Sequence, residues 1–187
     1  MEPRFWTCHW QFRYWRTDVN RENQPIRGSG GNRYTSRGIR GGCGHSAYIV
    51  SMSAGHLYLG GRMCVSRIVS RAEAVRIRGT DQLYPADEWL IDDTPEGGTP
   101  LHLLRRLAPD VTREIVCIMA DGDERGLFFM DDDNLDVQAT RGVRELTAAS
   151  AELLDRIIAI TDAMPRDGQL LTVTSAMLGA TAAQRPA

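Results

Sequence analysis

The sequence predicts an α+β domain built on a curved sheet or small barrel. Three observations predict it: short β-favouring runs between glycine-rich turns, two segments with helix-capping residues at their starts, and a length of 187 residues, enough to bury one core. Residues 4–10 read as a strand because they are aromatic and β-favouring. The stretch 17–44, TDVNRENQPIRGSGGNRYTSRGIRGGCG, is rich in Gly, Asn, Ser and Arg. It reads as a long irregular segment with at most a short helix, and a loop that long in a compact domain is usually functional or mobile.

Residues 46–51 form a short apolar run, Ala54-Gly55-His56 a turn, and Leu57–Val69 a second strand interrupted at Gly60-Gly61. The pair predicts a β-hairpin with a bulge or a close backbone approach at the glycines. Ser70-Arg71-Ala72-Glu73 has capping-box spacing and opens a short helix ended by Gly79. Residues 80–100 read as an Asp-, Pro- and Gly-rich connector around Trp89-Leu90-Ile91. Residues 101–107 and 115–119 are apolar enough for buried strands or a helix, and period does not separate the two.

GLFFM at 126–130 reads as a strand, DDDNLD as a turn and TRGVREL at 140–146 as a last strand. Thr147 caps a helix whose Leu153, Leu154, Ile157, Ile158 and Ile160 make one apolar face. Residues 1–174 are thus expected to form one domain with an insertion at about 80–100. Residues 175–187 are rich in small side chains and are expected to be a poorly ordered tail.

The net charge of −2 hides an asymmetry. Residues 1–80 carry 13 Arg against four acids, and the remainder 9 Arg against 20 acids, so +9 faces −11. No lysine occurs, so every basic side chain is a guanidinium, the group that pairs bidentately with phosphate and stacks on bases. The pattern suggests a basic working face on an otherwise acidic body. No continuous apolar run reaches membrane-spanning length, and the N-terminus lacks the pattern of a secretory signal. No membrane partner is therefore expected. The four cysteines, Cys8, Cys43, Cys64 and Cys117, are widely spread and read as reduced thiols of a cytoplasmic protein. Cys8-His9 and Cys43-Gly44-His45 hold zinc-binding residue types, but neighbours in sequence rarely converge on one metal.

The glycine-rich RGSGGN and GIRGGCG lack the dinucleotide fingerprint and the Lys-Ser/Thr ending of a P-loop. Asp131-Asp132-Asp133 with Asp136, and Asp121-Asp123-Glu124, lack the ligand rhythm of a calcium loop and read as solvated turns. No serine elbow or cysteine-protease pattern surrounds any Ser or Cys. These readings assign no catalytic residue, no metal and no cofactor.

The segment RFWTCHWQFRYWRT, Arg4 to Thr17, holds six of the thirteen Phe, Trp and Tyr residues, including Trp6, Trp10 and Trp15, beside Arg4, Arg13 and Arg16. Strand alternation puts Trp6, Cys8 and Trp10 on one face and Phe5, Thr7 and His9 on the other. Two tryptophans on one face suit stacking on a base, and large aromatics equally suit a core. The positive charge of the same region favours the first use.

The order of segments resembles the EVE domain of the PUA-like superfamily, whose relatives include YTH and ASCH domains. The similarity is carried by RFWTCHW, then IRGSGGNRYTSRGIRGG, AYIVSMS and GHLYLGGRMCVSRIVS, and lastly TRGVRELTAASAELLDRII, and covers residues 4–78 and 140–160. Gly44-His45-Ser46 stands where the family has Gly-Asp, and the stretch around Trp89 is an insertion. The resemblance implies a PUA-like small curved barrel whose pocket receives a flipped or unpaired, often modified, base of DNA or RNA. It implies Trp6 and Trp10 as stacking faces, with Arg27, Ser29, Asn32, Ser51 and Ser53 reading the base edge. Arg33, Arg37, Arg40 and Arg62 would meet phosphates.

Two other readings stand beside this one. One is an ASCH-like enzyme acting on RNA or modified nucleosides, with His9, His45 or His56 and Arg62 or Tyr58 as candidate groups. The other is a protein-interaction module that uses the acidic half. The sequence leaves the base, the sugar and the oligomeric state open.

Overall fold

The first strand, β1 (Phe5–His9), sits in the middle of a large sheet, with β3 (Ser46–Ser53) on one side and β10 (Val143–Leu146) on the other. This computed structural model describes residues 2–12, 22–42, 44–165 and 168–182. Eight strands run in the order β11-β7-β4-β3-β1-β10-β8-β9. The added members are β4 (His56–Cys64), β7 (Arg105–Leu107), β8 (Val116–Ile118), β9 (Glu124–Gly126) and β11 (Leu171–Val173). A smaller sheet has the order β2-β6-β5, from Gly28–Gly31, Glu88–Ile91 and Arg67–Ser70. Helices α1 (Arg71–Arg78), α2 (Pro109–Thr112), α3 (Ala148–Asp162) and α4 (Ser175–Ala182) complete the described elements. The fold is α+β. Among the described residues both ladders are open: neither closes into a barrel through its hydrogen bonds.

Alternation along each strand sorts the side chains into layers. On β3, Tyr48 and Val50 join the core under α3 and α4, while Ala47 and Ile49 face a second core. On β1, Phe5 packs against the first of these, and Trp6 and Cys8 belong to the second with Trp10 packed against them. On β6, Leu90 joins that second core, and Trp89 and Ile91 meet Ala74 of α1 in a third. The small sheet is therefore sandwiched between the large sheet and α1.

The hairpin of β3 and β4 bulges where expected. The register passes from Ile49 opposite Gly61 to Val50 opposite Leu59, leaving Gly60 as the extra residue. A Cβ on Gly61 would lie 2.5 Å from Thr99 Oγ1, so glycine is what lets the chain after β6 press on the strand. The run read as a single strand to Val69 ends at Cys64, and β5 departs into the small sheet. Ser70 caps α1 by accepting the Glu73 N–H (3.3 Å), and Thr147 caps α3 by accepting the Ser150 N–H (3.2 Å).

Three expectations change. The two stretches read as connectors, 17–44 and 80–100, each contain a strand, and β2 and β6 pair with one another. GLFFM is not a strand: β9 ends at Gly126, Phe129 makes one bridge to Leu135, and Phe128, Met130 and Val137 are 67%, 72% and 62% exposed. The stretch read as a tail starts with α4, which buries Leu178 in the core and donates from its Ser175 N–H to Asp110 Oδ2 (3.0 Å). Residues 183–187 lie outside the described residues. No helix among the described residues is long and apolar enough to cross a membrane.

Candidate functional site

Beyond β1 the chain stays pinned between its two neighbours. His9 N–H donates to Gly142 O (3.0 Å) and Trp10 N–H to Val50 O (2.8 Å). These bonds carry His9, Trp10 and Phe12 to one wall of a cavity of about 940 Å³. The glycine strand β2 and Asn32 form a second wall, the segment Gln82–Pro85 with Trp89 a third, and Val137–Val143 a fourth. Trp10, Phe12, Tyr84 and Trp89 give the cavity its aromatic surface.

The Trp10 ring is held at its polar edge. Its Nε1–H donates to Ser29 Oγ (2.8 Å), which also bonds Tyr34 OH (3.0 Å). Ser51 Oγ donates to the Trp10 carbonyl (2.7 Å). Ser29 and Ser51 are both fully buried. They position Trp10; they do not line the cavity. Behind them, burial pushes the Cys8 thiol up to about 12, against a smaller downward pull from its hydrogen bond with Tyr34. Tyr34 is driven well above its ordinary value, by burial first and then by the neighbouring Cys8. This group of side chains therefore stays neutral at working pH.

Glycine in β2 sets the width of the cavity. A Cβ on Gly30 would come within 2.7 Å of the Trp89 ring, and one on Gly31 within 2.6 Å of the Tyr34 ring. Only a strand without side chains at these positions allows both aromatics to approach it this closely. That requirement explains why the Gly-rich stretch is a strand despite poor β-propensity.

No Asp or Glu lines the cavity among the described residues. Among the described lining residues, the basic groups are His9 and Arg141. Burial, and then the charge of Arg141, lower the His9 pKa, so the imidazole is neutral at pH 7. Arg141 has no carboxylate partner among the described residues and reaches only Gln138 Oε1 (3.3 Å).

Of the residues expected at the site, Trp10 and Asn32 line this cavity. Trp6 does not: it is 1% exposed, with its ring edge-on to His45 at 5.6 Å and under the Arg4 guanidinium. It is a core residue on the same strand face, deeper than Trp10. Arg27 instead donates to the carbonyls of Thr94 (2.6 Å) and Pro95 (2.8 Å), tying the loop after β6. Ser53 ends β3 opposite His56, away from the cavity lining.

Arg33, Arg37 and Arg40 are exposed around the short 3-10 turn Thr35–Arg37 and are not in the lining. Arg62 pairs with Asp155 (2.8 Å) and borders a separate cavity of about 580 Å³. Arg13, Trp15, Arg16 and Cys43 lie outside the described residues.

Sequence reasoning missed Phe12, Tyr84, Trp89, Gln138 and Arg141 as lining residues. Phe12 was within the aromatic segment, so its signal was present. Tyr84 and Trp89 reach the cavity only through the pairing of β2 with β6, which no local pattern announces. Comparison with family models, with curated proteins and with solved structures finds no match to this chain. What the arrangement can do chemically is hold a flat, uncharged or anionic molecule against fixed aromatic rings.

Proposed function

We propose that this protein is a nucleic-acid-binding module that takes a flipped or unpaired, modified base into the aromatic cavity. The observation that carries this reading is Trp10: an indole fixed by Ser29, itself bonded to Tyr34, beside Phe12 and Tyr84, in a cavity that no carboxylate of the described residues lines. Base stacking on such a ring is sequence-tolerant and is worth about 1–3 kcal/mol per base. A cavity of this size accepts a whole nucleotide, not only its base. The reading extends to a PUA-like, EVE-like fold and a cytoplasmic setting, which rest on the order of sequence segments and on the dispersed thiols.

Fluorescence anisotropy with labelled single-stranded DNA and RNA, plain and modified, tests the proposal. Binding is expected to weaken steeply with salt. It is also expected to fall by about 1–3 kcal/mol in Trp10→Ala, the value of one stacked base. Parent protein that binds none of these strands at low salt would end the proposal.

A further inference from the structure

Resting on the base-binding reading, we infer that the cavity selects a nucleotide whose base carries an oxygen, not an amine, at the pyrimidine 4 or purine 6 position and whose phosphate meets Arg141. Several polar atoms of the lining are already committed to protein partners. Asn32 Oδ1 accepts the backbone N–H of Asp87 (3.0 Å). A backbone N–H only donates, so the orientation of this amide is fixed and its Nδ2 group is the one left over. Gln138 Oε1 accepts from Arg141 Nη1 (3.3 Å), and a guanidinium also only donates. The Gln138 Nε2 group is therefore left over as well.

Among the described residues neither amide nitrogen has a protein partner. The indole N–H of Trp10 is committed to Ser29, and among the described residues no carboxylate lines the cavity to receive an amine at the purine 6 or pyrimidine 4 position. Gln11 and Gln82 also line it, and each is free to turn either end of its amide inward, so they do not discriminate. The oriented groups are N–H donors. Uracil and thymine at O4 and guanine at O6 (the oxo-bases) offer them an oxygen acceptor, whereas cytosine at N4 and adenine at N6 (the amino-bases) set N–H against N–H at the same position.

The same wall supplies the anion site. Arg141 keeps four of its five N–H donors uncommitted and has no acidic partner among the described residues. With His9 neutral, it is the single cation lining the cavity among the described residues. A phosphate adjoining the captured base would therefore be drawn to Arg141, and not to Arg33, Arg37, Arg40 or Arg62, which lie outside the lining.

The test uses the full chain and short single strands, DNA and RNA, that are abasic except for one central base. That base is thymine or uracil, guanine, adenine or cytosine, plain or methylated, and a fully abasic strand serves as control. The oxo-bases are expected to bind about tenfold more tightly than the amino-bases, the span of one good hydrogen-bonded edge. Asn32→Asp keeps the acceptor for Asp87 N–H and puts oxygen where the amide nitrogen stood, so it should erase that preference. Arg141→Gln should weaken every strand, the abasic one included, by about tenfold, as expected for a lost charge-assisted contact.

Equal affinity for the four bases, or unchanged binding by Arg141→Gln, would overturn this inference. Base capture would still stand in that case if Trp10→Ala weakened binding. Failure of every strand to bind would overturn both.

Discussion

Replacing Trp6 by alanine should cost folding stability and leave the cavity chemistry intact in whatever fraction remains folded. The indole is 1% exposed and packs within the core that holds Cys8, Ile39, Ala47 and Met63. A tryptophan buries about 150–250 Å². At about 25 cal/mol per Å² its removal forfeits about 4–6 kcal/mol. One term opposes this: Trp6 Nε1 is buried without a partner among the described residues, and losing such a group returns about 1–3 kcal/mol. The expected loss is about 3 kcal/mol, the low end of the range for large-to-small aromatic truncations.

Trp6→Phe removes the orphan N–H and keeps most of the ring, so its cost should fall to about 1 kcal/mol. Urea unfolding followed by circular dichroism measures both. For a chain of this size, about 3 kcal/mol corresponds to a melting temperature lower by roughly 6–12 °C. A Trp6→Ala protein as stable as its parent but unable to bind nucleic acid would refute the reasoning, because Trp6 would then belong to the site and not to the core.

Other expected outcomes follow from the same geometry. Gly31→Ala places a methyl group against the Tyr34 ring, so it should disturb the Ser29–Tyr34–Trp10 contacts and weaken ligand binding by about tenfold or more; crystal structures or indole NMR shifts of the variant report the displacement. His9 has a folded pKa below its ordinary 6.5, so the unfolded chain takes up its proton first as pH falls. Its contribution to stability is complete above 6.5 and is lost below it, and His9→Asn should show a smaller stability difference between pH 7.5 and 5.5 than the parent. Burial pushes Cys8 up to about 12 and Cys117 to about 11. Iodoacetamide at pH 8 should therefore leave both unmodified in the folded protein and label both in denaturant, as read by peptide mass mapping.

The parts of the fold legible in the sequence are those fixed by neighbours in the chain. Strand β1, the bulged β3–β4 hairpin, the Ser70 cap of α1 and the Thr147 cap of α3 each depend on residues within a few positions of one another. The alternation that put Trp6, Cys8 and Trp10 on one face also holds. What alternation lacks is depth. Trp6 lies under the 3-10 turn region and Ile39, whereas Trp10 lies just past the strand end at the cavity wall.

The illegible parts are non-local. GSGG has no intrinsic preference for a strand and becomes β2 through its pairing with β6, with Trp89 and Tyr34 in close approach to its glycines. GLFFM has every local mark of a strand. It remains an irregular segment because Asp131 accepts from Asn134 N–H (2.8 Å) and closes a tight turn directly after it, beyond the end of β9. The arginine roles rest on the resemblance and on regional charge, and neither says that Arg27 is bound to carbonyls, that Arg62 is paired with Asp155, or that Arg141 faces the cavity with no carboxylate partner among the described residues.

Base capture in this cavity is most directly tested by photo-crosslinking the full chain to single-stranded oligonucleotides carrying one 4-thiothymidine, then mapping the modified peptides by mass spectrometry. Crosslinks should fall in residues 9–12, 82–89 and 137–143, and should vanish when excess unmodified strand competes. Crosslinks confined to the opposite end of the large sheet, around β7 and β11, would contradict the assignment of the site.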